Sequence, residues 1–377
     1  MKRRSLYWIA VFLPLLVWSC GGKEPLPDLI PPPPDTGGQQ GGQGGSGGSG
    51  GSGGGDGGGT DTHPWDANRD KVVRPAAGNG WTVTPVREGI TYYAFSGTDV
   101  VTGVKQEACA IDLDLSNTKY VVQLTYSTPA LVTSDVFKEH NAIVAMNAGY
   151  EAGSIYIRIP DGKPVEKPRA NKSDLPNFEI SNTGVPNWKS EAAFFCNGVR
   201  NVRIAGAGEY IRPYKAPDEY RSLVTSQRTF YQQQTDEYII SSSPMLIDDY
   251  NPVGETFIDY SISNYTSLNS EHPQHHQRKR HPRTAVALTH DNHLLLFVVD
   301  GRTSISNGMS AKELTQFLVK YFNPKYALNM DGGGSTAMCV EGLGDAETHL
   351  VNKPCDSGGR ADKQRARDTH FVILEAK

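Results

Sequence analysis

Between residues 37 and 59 the chain holds 16 glycines in 23 positions, interleaved only with Gln, Ser and one Asp. Such a tract has almost no side chains to bury and a large backbone entropy to lose, so it cannot join a packed core. It therefore divides the chain. Residues 1–20 read as a leader, 21–63 as a disordered Pro/Gly-rich tether, and 64–377 as a single domain. Pro31–Pro34 favours extended polyproline II and the rest flexible coil, giving a reach of roughly 35–40 Å. A domain of about 310 residues can build a core without metal or disulfide staples. The formal net charge of −4 provides no strong basic field, so no nucleic-acid partner is expected.

The leader begins with Lys2, Arg3 and Arg4 and continues as an apolar run, Leu6–Trp18, broken by Pro14. This is a signal peptide in charge and length, too short for a comfortable membrane span. Its ending, Val17-Trp18-Ser19-Cys20, resembles the bacterial lipobox, in which the cysteine becomes the lipid-bearing residue. The expectation is an exported protein of the bacterial cell envelope, on the periplasmic side or the cell surface, whose membrane partner is reached through acylated Cys20. Export permits disulfides among Cys109, Cys196, Cys339 and Cys355. Cys339 and Cys355 could staple the loop between them; four buried thiols is the other reading. No CxxC spacing occurs, which disfavours a ribbon-type zinc site.

Within 64–377, β-branched and aromatic runs bounded by breakers predict strands. They are Ile90–Phe95, Ala108–Leu115, Tyr120–Tyr126, Ile143–Met146, Ser154–Ile159, Glu191–Cys196, Glu237–Ser241, Thr284–Thr289, Leu294–Val299, Tyr326–Met330 and Phe371–Leu374. Thr289–His293 reads as a hairpin connection. Ser310 and Glu313 have capping-box spacing, Leu314, Phe317, Leu318 and Tyr321 follow with helical period, and Asn323-Pro324 ends the helix. Thr133–His140 is a second helix candidate. Residues 161–189 and 249–282 are polar and Pro/Asn-rich and read as loops. The fold class expected is α+β: a mixed, largely antiparallel sheet core with a few inserted helices. There is no βαβα alternation for a TIM barrel or Rossmann domain, and no period of 20–50 residues.

Chemistry concentrates in a few strand ends. Tyr326–Met330 runs into Asp331-Gly332-Gly333-Gly334-Ser335-Thr336, a carboxylate followed by glycines whose N–H groups could form an anion nest. It is not a Walker P-loop, since no Gly-Lys-Ser/Thr follows. The hairpin around 284–299 is bracketed by Arg283 and by Asp300-Gly301-Arg302, which antiparallel pairing would bring to one rim. Arginine's planar fork suits phosphate or carboxylate. Two further turns are Asn147-Ala148-Gly149-Tyr150-Glu151 and Ser243–Leu246. Glu271–His281 is a His-rich basic stretch that reads as a solvated, mobile loop, able to attract an anionic substrate, with a metal site on its four histidines as the lesser reading.

Taken in order, Asn147–Tyr150, Ser243–Leu246, Arg283-Thr284-Ala285, Asp300-Gly301-Arg302, Gly308 with Ser310, and Asn329–Thr336 resemble the phosphodiester glycosidase family. A closing arginine near Arg365 or Arg367 also fits. The resemblance covers roughly residues 80–377. Glu151 departs from it, standing where a second aromatic usually follows, as does the His-rich stretch before Arg283.

The resemblance implies hydrolysis of a glycosidic C–O bond whose leaving group is a phosphate ester, on a phosphorylated glycan or sugar-1-phosphodiester. An oxocarbenium-like transition state then needs a carboxylate. Asp300 and Asp331 are the expected pair, with Glu151 in reserve. Arg283 and Arg302 are expected on the phosphate, helped by the backbone of Gly332, Gly333 and Gly334 with Ser335 and the Thr336 hydroxyl. Asn147 is expected on sugar hydroxyls or orienting a carboxylate. No cofactor is required, though Ca²⁺ on carboxylates and loop carbonyls is compatible. Two rival classes are a non-catalytic glycan-binding surface lipoprotein and a metal-dependent phosphodiesterase.

Overall fold

Strand Arg283–Leu288 pairs residue for residue with His293–Val299, from Arg283 opposite Val299 to Leu288 opposite Leu294. The turn between them closes when the Thr289 N–H donates to the His293 carbonyl at 3.0 Å, with Asn292 in the left-handed region at φ +61°. The computed structural model describes residues 64–150, 156–160, 189, 191–198, 200–207, 226–254, 258–268, 270, 272–356, 360–361 and 363–377. The leader, Cys20, the whole tether and Glu151 lie outside the described residues, as do 161–188.

This hairpin is the middle of a seven-stranded sheet. Its spatial order is Trp81–Arg87, Ile90–Thr98, Lys105–Asp114, His293–Val299, Arg283–Leu288, Tyr326–Asn329 and Met245–Ile247. A second sheet orders Met338–Val340, Val144–Asn147, Arg367–Glu375 and Tyr120–Leu131. A third orders Ile157–Arg158, Tyr238–Ser242, Ala192–Cys196 and Val202–Gly206. Every strand pairing among the described residues is antiparallel, and the class is α+β.

Side-chain alternation gives the large sheet two different faces. Val286, Leu294, Leu296, Val298 and Leu328 point toward the other two sheets and meet Met146, Phe194, Ile240 and Phe371 in the main core. Their neighbours Ala108, Ala110, Ala285, Ala287 and Ala327 face the other way. These small residues let the helix Ala311–Phe322 lie close, and Phe317, Phe322, Trp81 and Phe95 fill the remaining space. The Phe317 and Tyr321 rings sit 4.6 Å apart, and Trp81 and Phe95 5.2 Å. Each such fully buried large apolar side chain contributes about 1.5–3 kcal/mol. The helix starts at the expected capping box: Ser310 Oγ accepts from Glu313 N–H at 3.2 Å, and Glu313 Oε2 accepts from Ser310 N–H at 2.9 Å. Asn323, left-handed at φ 43°, ends it.

The stretch 249–282 is not all loop. It contains a 3₁₀ turn at Tyr265–Ser267 and a helix at Pro273–Arg278. His272 caps that helix by accepting from the Gln274 N–H at 3.2 Å, and Pro273 sits at its first position. His275 and His281 are each only 8% exposed, so the reading of a solvated His-rich loop is corrected. Burial keeps the His281 imidazole neutral, and nothing in a basic sequence run reveals that. Cys109, Cys196, Cys339 and Cys355 are all buried thiols, with no staple between Cys339 and Cys355.

Candidate active site

Antiparallel register brings several strand ends to one rim. Arg283 lies opposite Val299, just before Asp300; Ala285 lies opposite Asn329, just before the Asp331 turn; Asn147 lies opposite His370. Gly149 and Arg367 flank the same rim.

The Asp331 turn is held by its backbone. The Asp331 N–H donates to the Ala148 carbonyl at 3.0 Å, and Asn147 Nδ2 donates to the Asp331 carbonyl at 2.6 Å. Asn147 Oδ1 accepts from Thr284 Oγ1 at 3.0 Å and from the Ala337 N–H at 3.1 Å. Asn147 is thus fully buried, and both its side-chain oxygen and nitrogen are engaged, which suits orienting the carboxylate turn. Two glycines are demanded for different reasons. A Cβ at Gly332 would lie 2.6 Å from the Pro282 carbonyl oxygen, while Gly333 has φ +64°. The Gly333 N–H donates to that same carbonyl at 2.8 Å, so it does not take part in the expected anion nest.

The Asp331 carboxylate forms an ion pair with Arg367 Nε at 3.1 Å. Arg367 Nε also approaches Ser335 Oγ at 2.6 Å, so one buried guanidinium joins both ends of the turn. Of the two closing arginines the sequence offered, Arg367 is the one on Asp331. Thr336 is 1% exposed; its hydroxyl lies 3.4 Å from Thr284 Oγ1, and its carbonyl accepts from Asn352 Nδ2 at 3.2 Å.

Asp300 has a different setting. Its Oδ1 accepts from Asn352 Nδ2 and its Oδ2 from the Lys353 N–H, both at 2.8 Å. Burial outweighs these bonds and pushes its pKa up to about 7. It lines a cavity of about 130 Å³ with Glu107, Cys109, Tyr92 and Asn352; none of residues 329–336 lines it. Asn352, unmarked by any sequence signal, is the bridge between Asp300 and the Asp331 turn.

The two rim arginines also separate. Arg283 sits on the helix-facing side of its strand, opposite to Thr284. It is 1% exposed, and its guanidinium donates to the carbonyls of His276 at 2.6 Å, Lys279 at 3.0 Å and Met309 at 2.8 Å. It braces the end of the Pro273–Arg278 helix. Burial lowers its pKa to about 10. Arg302 is exposed, and a Cβ on Gly333 would meet its NH2 at 3.3 Å, so the guanidinium overlies the glycine turn. A second cluster fastens the back of the site. Ser243 Oγ donates to buried Glu191 at 2.6 Å, and Asn329 Nδ2 donates to the Tyr150 hydroxyl at 2.7 Å. Glu191 carried no motif. Among the described residues no group of three or more His, Cys, Asp or Glu gathers to hold a metal ion.

No curated protein sequence matches the chain. Among solved structures, the catalytic domain of zebrafish N-acetylglucosamine-1-phosphodiester alpha-N-acetylglucosaminidase, auto-inhibited by its pro-peptide, is 18% identical with a TM-score of 0.48. That match covers 81% of this chain and 87% of the zebrafish chain. A hypothetical protein from Synechocystis is 13% identical with a TM-score of 0.44, over 80% of this chain and 65% of its own. The sequence model of the phosphodiester glycosidase family matches residues 140–374, more than half of the chain and every element of the rim described above. The chain belongs to the phosphodiester glycosidase family.

Proposed function

We propose that the domain hydrolyses the glycosidic C–O bond of a sugar-1-phosphodiester, releasing a sugar and a phosphomonoester. The observation that carries this reading is the placement of opposite charges on one three-glycine turn. The Asp331 carboxylate opens the turn, and the Arg302 guanidinium overlies Gly333. C–O cleavage makes just that demand: the anomeric carbon gains positive charge while the departing phosphate gains negative charge. Asp331 stabilises the oxocarbenium-like carbon or takes the proton of the attacking water. Arg302 receives the phosphate, for which a guanidinium fork is suited. Water oxygen joins the anomeric carbon, and the C–O electron pair leaves with the phosphate ester, which is a fair leaving group without strong acid help. Arg367 and Asn147 position Asp331, Arg283 braces the rim, and Asp300 supports the turn through Asn352. In the same reading the protein is exported and lipid-anchored at Cys20, with residues 21–63 as its tether.

Hydrolysis in ¹⁸O-labelled water tests the bond cleaved. Label in the sugar is expected. Label in the phosphate would instead mark a phosphodiesterase breaking P–O, and glycan binding with no phosphomonoester released would mark a binding lipoprotein.

A further inference from the structure

We infer that His281 is a positioning residue that aims the Arg302 guanidinium across the Gly333 turn to receive a phosphate. The inference rests on the functional reading above. Arg302 has a left-handed backbone, φ +61°. Residues other than Gly, Asn and Asp are uncommon there and persist where their surroundings hold them. Among the described residues its guanidinium makes one hydrogen bond, from NH2 to His281 Nδ1 at 2.8 Å. A long, exposed arginine with no other tether would lose much of its rotamer freedom on meeting an anion. His281 removes part of that cost beforehand.

The histidine is itself fixed. Its N–H donates to the Met309 carbonyl at 3.1 Å, and its carbonyl accepts from the Met309 N–H at 3.0 Å. A Cβ on Gly308, φ +77°, would lie 2.4 Å from the His281 carbonyl oxygen, so the neighbouring strand passes as close as a glycine allows. The ring packs 6.2 Å from those of His275 and His276. Burial, reinforced by Arg283 and Arg302, pushes its pKa down to about 2. The ring is therefore neutral under ordinary conditions, and Nδ1 stays an acceptor. The neighbouring pair shows what the alternative looks like. His276 Nδ1 lies 3.4 Å from Arg283 NH1, but that arginine is committed to three carbonyls and is buried. Of these two pairs, His281–Arg302 is the one that leaves a guanidinium both aimed and open.

The test uses His281→Leu, which removes the acceptor while keeping bulk, and His281→Asn, whose side-chain oxygen can stand near where Nδ1 stands. Each is compared with wild type by calorimetric titration with inorganic phosphate and by turnover of a sugar-1-phosphodiester, after melting curves establish folding. His281→Leu is expected to weaken phosphate binding and raise KM by about tenfold, with kcat within about threefold, as for one charge-assisted hydrogen bond. His281→Asn should recover most of the loss. Equal behaviour of the two variants, a loss confined to kcat, or wild type that binds no phosphate would each overturn the inference. If wild type binds phosphate but turns over no phosphodiester, the functional reading fails alone, and the phosphate titration still decides the role of His281.

Discussion

Two Asp-Gly turns, Asp300-Gly301 and Asp331-Gly332, follow the two strands that flank Arg283–Leu288, and they share a backbone cause. Pro282 passes between them. A Cβ on Gly301 would lie 2.7 Å from the Pro282 nitrogen, and one on Gly332 2.6 Å from the Pro282 oxygen. The carboxylates nevertheless differ. Asp300 is held by an amide and a backbone N–H and sits near pKa 7; Asp331 is paired with a guanidinium on a turn that another guanidinium overlies. The same dipeptide fixes the geometry twice, while the partners brought by distant strands decide the chemistry.

The comparison can be broken most forcefully at Arg367. Replacing it with Met takes the guanidinium away from the largely buried Asp331 carboxylate and from Ser335, which should cost about 3–5 kcal/mol by thermal or urea unfolding. The corresponding change at Asp300, Asn352→Leu, removes a neutral amide that donates to Asp300 and the Thr336 carbonyl and accepts from the Met338 N–H, and should cost about 1–3 kcal/mol. Next in size is Gly332→Ala, where the new methyl meets backbone and should cost about 1–3 kcal/mol. Gly301→Ala should match it, and unequal costs would show that Pro282 does not treat the two turns alike.

Asp300 sharpens the comparison through pH. Its folded pKa is raised, so its contribution to stability is fully present below the ordinary carboxylate range near 4 and is lost as pH rises through about 7. Wild-type stability should therefore fall over that window, by at most roughly 4 kcal/mol from this group. In Asp300→Asn that decline should flatten. An unchanged slope would mean that Asp300 titrates as an ordinary surface carboxylate.

Much of this was legible in the sequence where residue pattern and local physics agree. The capping box at Ser310 and the hairpin at 283–299 stand as read, while at the Asp331 turn the Gly333 N–H is taken by the Pro282 carbonyl. Strands Met245–Ile247 and Met338–Val340 are three residues long, too short for a period to register. Trp81–Arg87 was hidden by Pro85, which is tolerated because the strand is an edge with an irregular register there. At the site, the sequence put Arg283 beside Asp300. Strand alternation then turned Arg283 toward the helix, because Arg283 pairs with Val299 and Asp300 is one residue beyond. Asn352 and His281 were missed because their roles depend on what they touch across the fold, not on any spacing.

The central claim is that the two Asp-Gly turns divide the work, with turnover on Asp331. It is tested most directly by the ratio of kcat/KM losses for Asp331→Asn and Asp300→Asn on a sugar-1-phosphodiester, with both variants shown to be folded. The account predicts a loss on the order of 10²–10⁴ for Asp331→Asn and less than about tenfold for Asp300→Asn. Activity of Asp331→Asn within about twofold of wild type, or an equal or larger loss for Asp300→Asn, would contradict it.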